Sequence, residues 1–425
     1  MDQQLALAVM LSGESVFLTG PAGSGKTYIL NQFIKLAKKQ GKYVSVTATT
    51  GLAATHLGGT TIHSWSGIGI HEILPQGFVE HLSKGRADII KKTDVLIIDE
   101  ISMLHDFRLD MVDEVCRLVR EEPHLPFGGI QLIMSGDFFQ LPPIQRSGAR
   151  PGGFVINSKV WQELDPAICY LQEQYRQDDE ALLGILTAIR SGSITQDHID
   201  TLTARSEVHP DELEELTELY TVNVDVDTLN NRRLAQIDED EVSYERAESG
   251  AKGYLETLDR SVLAPKVLRL KKGALVMAVK NSADRKYVNG SIGTVLDFEP
   301  DTEYPIVQFR NGKEVLMTPD TWELRDGETK RASISQIPLR LAWAITVHKS
   351  QGMTLDAARM NLAKAFVEGM GYVALSRVKN VSSLYLSGLN EMALRVSEEA
   401  RMIDQYLREK SAEDARLATN LEQGR

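Results

Sequence analysis

A chain of 425 residues is longer than one ordinary domain and long enough to enclose two or three cores. With 42% hydrophobic and 25% charged residues it sits in the range of soluble globular proteins, which excludes disordered and fibrous classes. The net charge of −12 argues against a general basic surface for nucleic acid. No apolar run reaches the roughly 18 residues of a membrane helix, and the N-terminus has neither a basic signal-type start nor an Arg/Ser-rich transit pattern. A cytoplasmic protein without a membrane partner is expected. Cys116 and Cys169 lie outside any CxxC or Cys/His spacing, so free buried thiols are expected rather than a disulfide or zinc site.

In chain order, the first strand is Ser15–Thr19, followed by a Gly-rich turn and a helix over Thr27–Lys39. Ile29, Leu30, Phe33, Ile34 and Ala37 share one face of that helix, and Gly41 stops it. Further strands are predicted at Tyr43–Ala48, Val95–Ile98 and Ile130–Met134. Short, fully apolar strands between helices imply a parallel sheet covered on both faces. From Lys266 to Glu323 the pattern changes to alternating β-type runs at Ala274–Val279, Ile292–Phe298, Pro305–Phe309 and Glu314–Met317. Asn289-Gly290 and Asn311-Gly312 lie between such runs, and Asn-Gly favours tight hairpins in which both central residues take φ > 0. A small antiparallel barrel inserted in the chain is predicted. Buried strands return at Leu339–Val347 and Ser383–Leu386, so a second α/β unit encloses the insert, and a charged helix begins near Glu391.

Gly20-Pro21-Ala22-Gly23-Ser24-Gly25-Lys26-Thr27 matches the phosphate-binding loop at each required position. Its glycines let backbone N–H groups wrap around phosphates, and the helix that follows adds the positive end of its dipole. Val95–Ile98 then Asp99-Glu100 puts two carboxylates at the end of a buried strand. Asp99 suits a magnesium ion on the β and γ phosphates, with the Thr27 hydroxyl as a second ligand. Glu100 points the other way and is placed to accept a proton from attacking water, which favours hydrolysis over transfer to an acceptor. Gln140, after the strand Ile130–Met134, is placed to sense the γ-phosphate; the competing reading is a Pro-terminated loop carrying two core phenylalanines.

Nine ordered segments resemble the Pif-type DNA helicases of superfamily 1. They are Gln3, the phosphate loop, Thr47–Gly51, Thr61–Trp65, Ile98–Met103, Gly136–Pro143, Tyr175–Gln177, Val347–Thr354 and Tyr372–Arg377. The segment Leu109–Arg120 followed by Pro126–Leu132 resembles that family's own signature, and the likeness runs from Gln3 to about Leu386. The resemblance implies two RecA-like domains with parallel sheets, and an inserted Src-homology-3-like β-barrel in the second. The expected boundaries are 1–175, with a small insertion near 66–90, for the first domain. Residues 176–265 and 335–425 would form the second, and 266–334 the barrel. It implies ATP and Mg2+ as cofactors. Gln3 would hold the adenine edge, Lys26 the β and γ phosphates, and Arg176 and Arg377 would reach the transferring phosphoryl group, where a planar guanidinium matches the spread charge.

The DNA-contacting loops implied are Thr49, Thr50 and Gly51; His63 and Trp65; and His348, Lys349 and Gln351. Hydroxyls, backbone N–H groups and His or Lys side chains suit phosphate contacts that carry no sequence information. Trp65 offers a π-face to a base or, equally, a core side chain. The function implied is an ATP-dependent helicase moving 5′-to-3′ on single-stranded DNA, opening single-strand/double-strand junctions and acting as a monomer. The alternative is an ATP-switched single-strand clamp that does not unwind. A compact bacterial or phage-like enzyme is expected. The charge also localises: Arg205–Glu248 holds fourteen Asp/Glu against four Arg, a net −10 that leaves −2 for the other 381 residues. That stretch is expected on a solvated face away from DNA.

Overall fold

The structure is a computed structural model describing residues 1–423 except 70, 144–149, 174–178, 209–215, 222–225, 260–261, 283–285, 288 and 327–328. The chain divides into two compact units. The first comprises Met1–Arg176, Arg325–Lys330 and Glu398–Arg425, and the second Gln177–Leu324 and Arg331–Ser397.

In the first unit, the described residues form a six-stranded sheet from β1 (Val16–Thr19), β2 (Val44–Ala48), β3 (Thr60–Thr61), β4 (Val95–Asp99), β5 (Gln131–Ser135) and β6 (Ala167–Tyr170). The order is β3-β2-β4-β5-β1-β6 and every pairing is parallel. Both faces of β4 are sealed, which explains its unbroken apolar run Val95–Ile98. Helices α1 (Gln3–Leu11), α2 (Lys26–Lys39), α3 (Gly51–His56), α4 (Ile62–Ser66), α5 (Lys84–Lys92) and α6 (Asp106–Arg120) accompany the sheet. The predicted stripe on α2 is its inner face: Ile29, Leu30, Phe33 and Ala37 join β1, β4 and β5 in one apolar cluster, with Ile34 at its margin. Each such side chain taken out of water is worth about 1.5–3 kcal/mol.

The segment that carries the family signature is a clasp. Phe127 has φ 52° and its N–H donates to the Asp113 carboxylate at 2.6 Å, while Asp113 also pairs with Arg117 at 2.7 Å. The Arg120 guanidinium donates to the carbonyls of Gly128 (2.6 Å), Ile90, Lys91 and Thr93. A Cβ on Gly128 would stand 2.9 Å from the Cys116 carbonyl, so α6 and this turn meet backbone to backbone. Cys116 and Cys169 are both free and buried, as expected.

In the second unit, Ala344–Thr346, Thr217–Tyr220, Ala358–Leu362 and Leu384–Leu389 form a four-stranded parallel sheet in that order. The predicted run Leu339–Val347 is two strands. Leu339–Leu341 pairs antiparallel with Leu275–Ala278, and Ala344–Thr346 pairs parallel with Thr217–Tyr220. Between them the Ala342 N–H serves the first sheet through Leu275, and the Trp343 carbonyl serves the second through Glu218.

The antiparallel insert is a five-stranded sheet. Glu314–Leu316, Pro305–Phe309, Ile292–Phe298, Leu275–Ala278 and Leu339–Leu341 follow one another across it. Asn311-Gly312 turns a hairpin as expected, but only the glycine has positive φ, at 80°. Asn289-Gly290 does not make a two-residue hairpin. The register Met277 opposite Ile292 places it at the end of a longer loop.

One boundary differs from expectation. The helix Glu398–Gln423, assigned from sequence to the second α/β domain, belongs to the first unit, where it packs on β6. Its Ser411 hydroxyl accepts from the Tyr170 N–H (3.0 Å), its Asp414 from the Ile168 N–H (2.8 Å), and its Asp404 from the Tyr170 hydroxyl (2.7 Å). β6 is an edge strand, and these side chains take up donors that an open edge would present to another chain.

Candidate functional site

The loop between β1 and α2 is shaped by glycine at three positions where φ is positive: Gly20 at 144°, Gly23 at 87° and Gly25 at 86°. A Cβ on Gly20 would stand 2.5 Å from the Leu171 carbonyl, so no side chain fits there. Pro21 and Ala22 are buried in the loop. The Ser24 hydroxyl is buried without a hydrogen-bond partner, a polar atom for which the protein itself supplies no ligand. Lys26 folds back on the loop, donating through Nζ to the carbonyls of Gly20 (2.7 Å) and Pro21 (3.0 Å). Carbonyl contacts of this kind can be exchanged for the stronger charge-assisted bonds that phosphate oxygens offer an ammonium. Thr27 is exposed in the first turn of α2. Gln3, in the first turn of α1, donates from Nε2 to the Ser24 carbonyl at 3.2 Å, so the expected base contact stands beside the phosphate loop.

Asp99 closes β4 with its carboxyl deep in the fold. Burial pushes its pKa up, opposed by the Glu100 amide, the Ser135 hydroxyl and the Lys26 charge. Glu100, directly after it, has φ 51° and ψ 39°, a left-handed conformation that costs a non-glycine residue about 1 kcal/mol or more. Gln140 is buried at 6% exposure, its N–H on the Asp137 carbonyl at 3.0 Å. The two phenylalanines before it are core: Phe138 packs on Phe17 with ring centres 5.5 Å apart. The Gly136 N–H donates to the Leu18 carbonyl at 3.2 Å, bringing the Gln140 turn alongside the strand that feeds the phosphate loop.

Thr49 is placed differently from the sequence expectation. Its N–H donates to the Asp99 carbonyl at 3.2 Å and its hydroxyl to the Glu100 carbonyl at 2.8 Å, and the residue is 9% exposed. A hydroxyl spent on backbone is not offered to a DNA phosphate. Sequence reasoning missed this strut because its partner lies across the sheet, where Ala48 sits opposite Asp99. Thr50 caps α3, its hydroxyl accepting from the Ala53 N–H at 3.2 Å, and Gly51 opens that helix half-buried.

His63 lies in α4, half-buried, and burial with the nearby Arg108 charge lowers its pKa to about 4, so it is neutral at pH 7. It can donate a neutral N–H but not a charge. Trp65 is 6% exposed and packs into the first unit, so its ring face is closed to a stacking base. The amphipathic pattern of α4 turns it inward beside Ile62 and Ser66.

In the second unit His348, Lys349 and Gln351 share one turn after the strand Ala344–Thr346. His348 and Lys349 are half-buried, burial lowers both pKa values, and Gln351 is 8% exposed. Arg377 does not project as the resemblance implies. It is 1% exposed, donating to the carbonyls of Val373 (2.8 Å), Met353 (3.1 Å) and Ser350 (3.4 Å) and to the Ser376 hydroxyl (2.8 Å). Its fork of donors is filled by carbonyls of its own unit, tying the 350–353 turn to the helix Met370–Leu375. Arg176 lies outside the described residues.

The first unit therefore brings Gln3 and Lys26 onto the 20–27 loop, puts Asp99 within reach of the Lys26 charge, and braces Asp99 and Glu100 with Thr49. Comparison with known proteins identifies it further. Residues 1–194 match the family model described as PIF1-like helicase, and 253–298 match that of the DNA helicase Pif1 2B domain. A protein of Psychrobacter named ATP-dependent DNA helicase Pif1 is 38% identical over 99% of this chain and 73% of its own length. The human protein named ATP-dependent DNA helicase PIF1 is 37% identical over 93% of this chain, which spans 61% of the human protein's length. Among solved structures, Pif1 helicase from Candida albicans aligns with TM-score 0.79 at 34% identity, covering 95% of this chain and 98% of that one. Pif1 from Bacteroides, in complex with ADP-AlF4, gives 0.81 at 31% identity over 96% of each chain. With this identity spread along nearly its whole length, the chain belongs to the PIF1-like helicase family.

Proposed function

We propose that this chain is an ATP-dependent DNA helicase that moves 5′-to-3′ along single-stranded DNA and opens duplex or forked DNA, acting as a monomer in the cytoplasm. Among the described residues no helix is long and apolar enough to cross a membrane. The observation that carries the enzymatic part is the end of β4, where buried Asp99 is followed by Glu100 in a left-handed backbone braced by Thr49.

ATP fits the site: glycine stands at position 20, where a Cβ would collide with the Leu171 carbonyl, positive φ favours glycine at 23 and 25, and the Ser24 hydroxyl is buried and unpartnered. The loop N–H groups and Lys26 would bind the phosphates, and Gln3 would hold the base. Asp99 and Thr27 would hold Mg2+, which neutralises charge on the β and γ phosphates. Glu100 takes the proton of the attacking water, and its fixed backbone keeps the carboxylate from swinging away. Gln140 senses the γ-phosphate from the neighbouring strand end, and Arg176 and Arg377 supply positive charge as the phosphoryl group leaves. For Arg377 this requires exchanging its present carbonyl partners. Thr50, Gly51, His63, His348, Lys349 and Gln351 contact the strand's backbone through N–H groups and one formal charge, without sequence preference.

The relatives' printed names support DNA unwinding, and the family resemblance supports polarity. A strand-displacement assay on forks carrying either a 5′ or a 3′ tail tests both. Displacement restricted to the 5′-tailed fork is expected. ATP-dependent binding without displacement on either fork would establish the clamp reading instead. Glu100→Gln is expected to retain ATP while losing turnover at least a hundredfold; near-normal turnover would remove Glu100 from the role of base.

A further inference from the structure

The second unit contains a cavity of about 700 Å³ between the helix Val226–Ala235, the strand Val267–Leu270 and the strand Leu339–Leu341, with Lys349 in its wall. Its charges are unevenly satisfied. Arg246 is neutralised twice, by Glu248 and Asp259 at 2.5 Å each. Lys266 and Arg269 are largely exposed and each has a carboxylate at 3.9 Å. Arg340 is different: its side chain is 9% exposed, its Nε has no hydrogen-bond partner, and its ion contact is Asp227 at 3.7 Å, whose own side chain is 85% exposed. A solvated carboxylate at that distance does little for a buried guanidinium. Lys349 stands half-buried beside it, and its pKa is depressed by burial and by the Arg340 charge.

We propose that the Arg340–Lys349 pocket is a binding site for a tetrahedral phosphate-type anion. Two adjacent cations removed from water repel each other, and one of them keeps an orphaned donor. An anion with several acceptor oxygens relieves both conditions: it takes the Arg340 N–H groups as a fork and the Lys349 ammonium as a point charge. Arg340 is held on a strand, with Met277 opposite it, and cannot readily withdraw to solvent. The same chemistry could be presented by a phosphodiester of the single strand or by free phosphate. The first source rests on the helicase reading above; the second does not.

The test measures binding of labelled oligo(dT) by fluorescence anisotropy between about 50 and 200 mM salt for the full chain, Arg340→Gln and Arg340→Lys. A parallel arm records melting temperature against inorganic phosphate, with the nucleotide loop saturated by ADP. For a strand phosphate, Arg340→Gln lowers the slope of log K against log salt by about 0.7, the value for one contact on a single strand, and Arg340→Lys largely restores it. For free phosphate, that slope is unchanged, while phosphate raises the melting temperature of the parent chain and not of Arg340→Gln. Should Arg340→Gln fail to fold, Arg340→Met, which keeps the buried aliphatic stem and removes the charge, takes its place with the same expected signature. Identical slopes together with identical phosphate responses would overturn the proposal. If the parent chain binds no oligo(dT), the helicase reading fails, and the phosphate arm still decides the site.

Discussion

Thr49→Val removes one hydroxyl and little else, because valine keeps the shape. The lost bond is the 2.8 Å contact to the Glu100 carbonyl; the 3.2 Å main-chain bond to Asp99 remains. Glu100 sits in a backbone region costing about 1 kcal/mol or more, so it depends on its surroundings to stay there. Removing a donor from a part-buried carbonyl costs about 1–3 kcal/mol, and the half-exposed setting of Glu100 points to the lower end. A loss near 1.4 kcal/mol in the population holding the productive backbone lowers kcat about tenfold. The KM for ATP is expected to stay unchanged, since the Thr49 hydroxyl is committed to the Glu100 carbonyl. Steady-state ATPase at saturating oligo(dT) measures this, with Thr49→Ser expected to recover most of the turnover. If Thr49 instead gripped DNA, Thr49→Val would leave maximal turnover within twofold and raise the oligo(dT) concentration for half-stimulation. That result would refute the strut.

Three further outcomes are expected. Gly20→Ala forces a Cβ to within 2.5 Å of the Leu171 carbonyl, so ATP binding by equilibrium titration should be lost while the rest of the unit still melts cooperatively. Trp65→Phe should lower the urea midpoint without changing affinity for oligo(dT); an affinity loss with unchanged stability would restore the stacking role. His63 has a folded-state pKa of about 4, below its unfolded value of about 6.5, so its contribution to stability is complete above pH 6.5 and is lost as pH falls toward 4. The loss is at most about 3 kcal/mol. Urea midpoints at pH 7.5 and 5 should converge in His63→Gln, and an unchanged pH dependence in that variant would exclude His63 as the source.

Much of the fold was legible because its signals are local. The phosphate loop, the run Val95–Ile98 and the stripe on α2 each follow from a spacing that a strand or helix must satisfy. β6 and the strand Thr217–Tyr220 escaped notice because four residues beside polar neighbours carry little periodicity. The break inside Leu339–Val347 was invisible for the opposite reason: both halves are apolar, and only their partners differ. Site residues divide the same way. Glycines declare the backbone geometry they allow, whereas Thr49, Arg340 and Arg377 take their surroundings from residues far along the chain. Trp65 shows the limit of residue type, since the same ring serves a base or a core. Of the acidic stretch, Asp238, Glu239, Asp240 and Glu241 are exposed, as a solvated face requires, and residues 211–215 lie outside the described residues.

The return of the helix Glu398–Gln423 to β6 has a practical corollary for anyone dissecting this protein. The first unit is not a contiguous stretch of sequence. The Met1 ammonium donates to the Tyr170 carbonyl at 3.0 Å, and the Arg408 guanidinium stands 4.4 Å over the Tyr170 ring, so one tyrosine is gripped by segments from opposite ends of the chain. A fragment cut after residue 176 would leave that strand bare and ready to recruit another molecule. A separable version would have to splice the two ends together across the excised middle, or supply the helix as a second polypeptide.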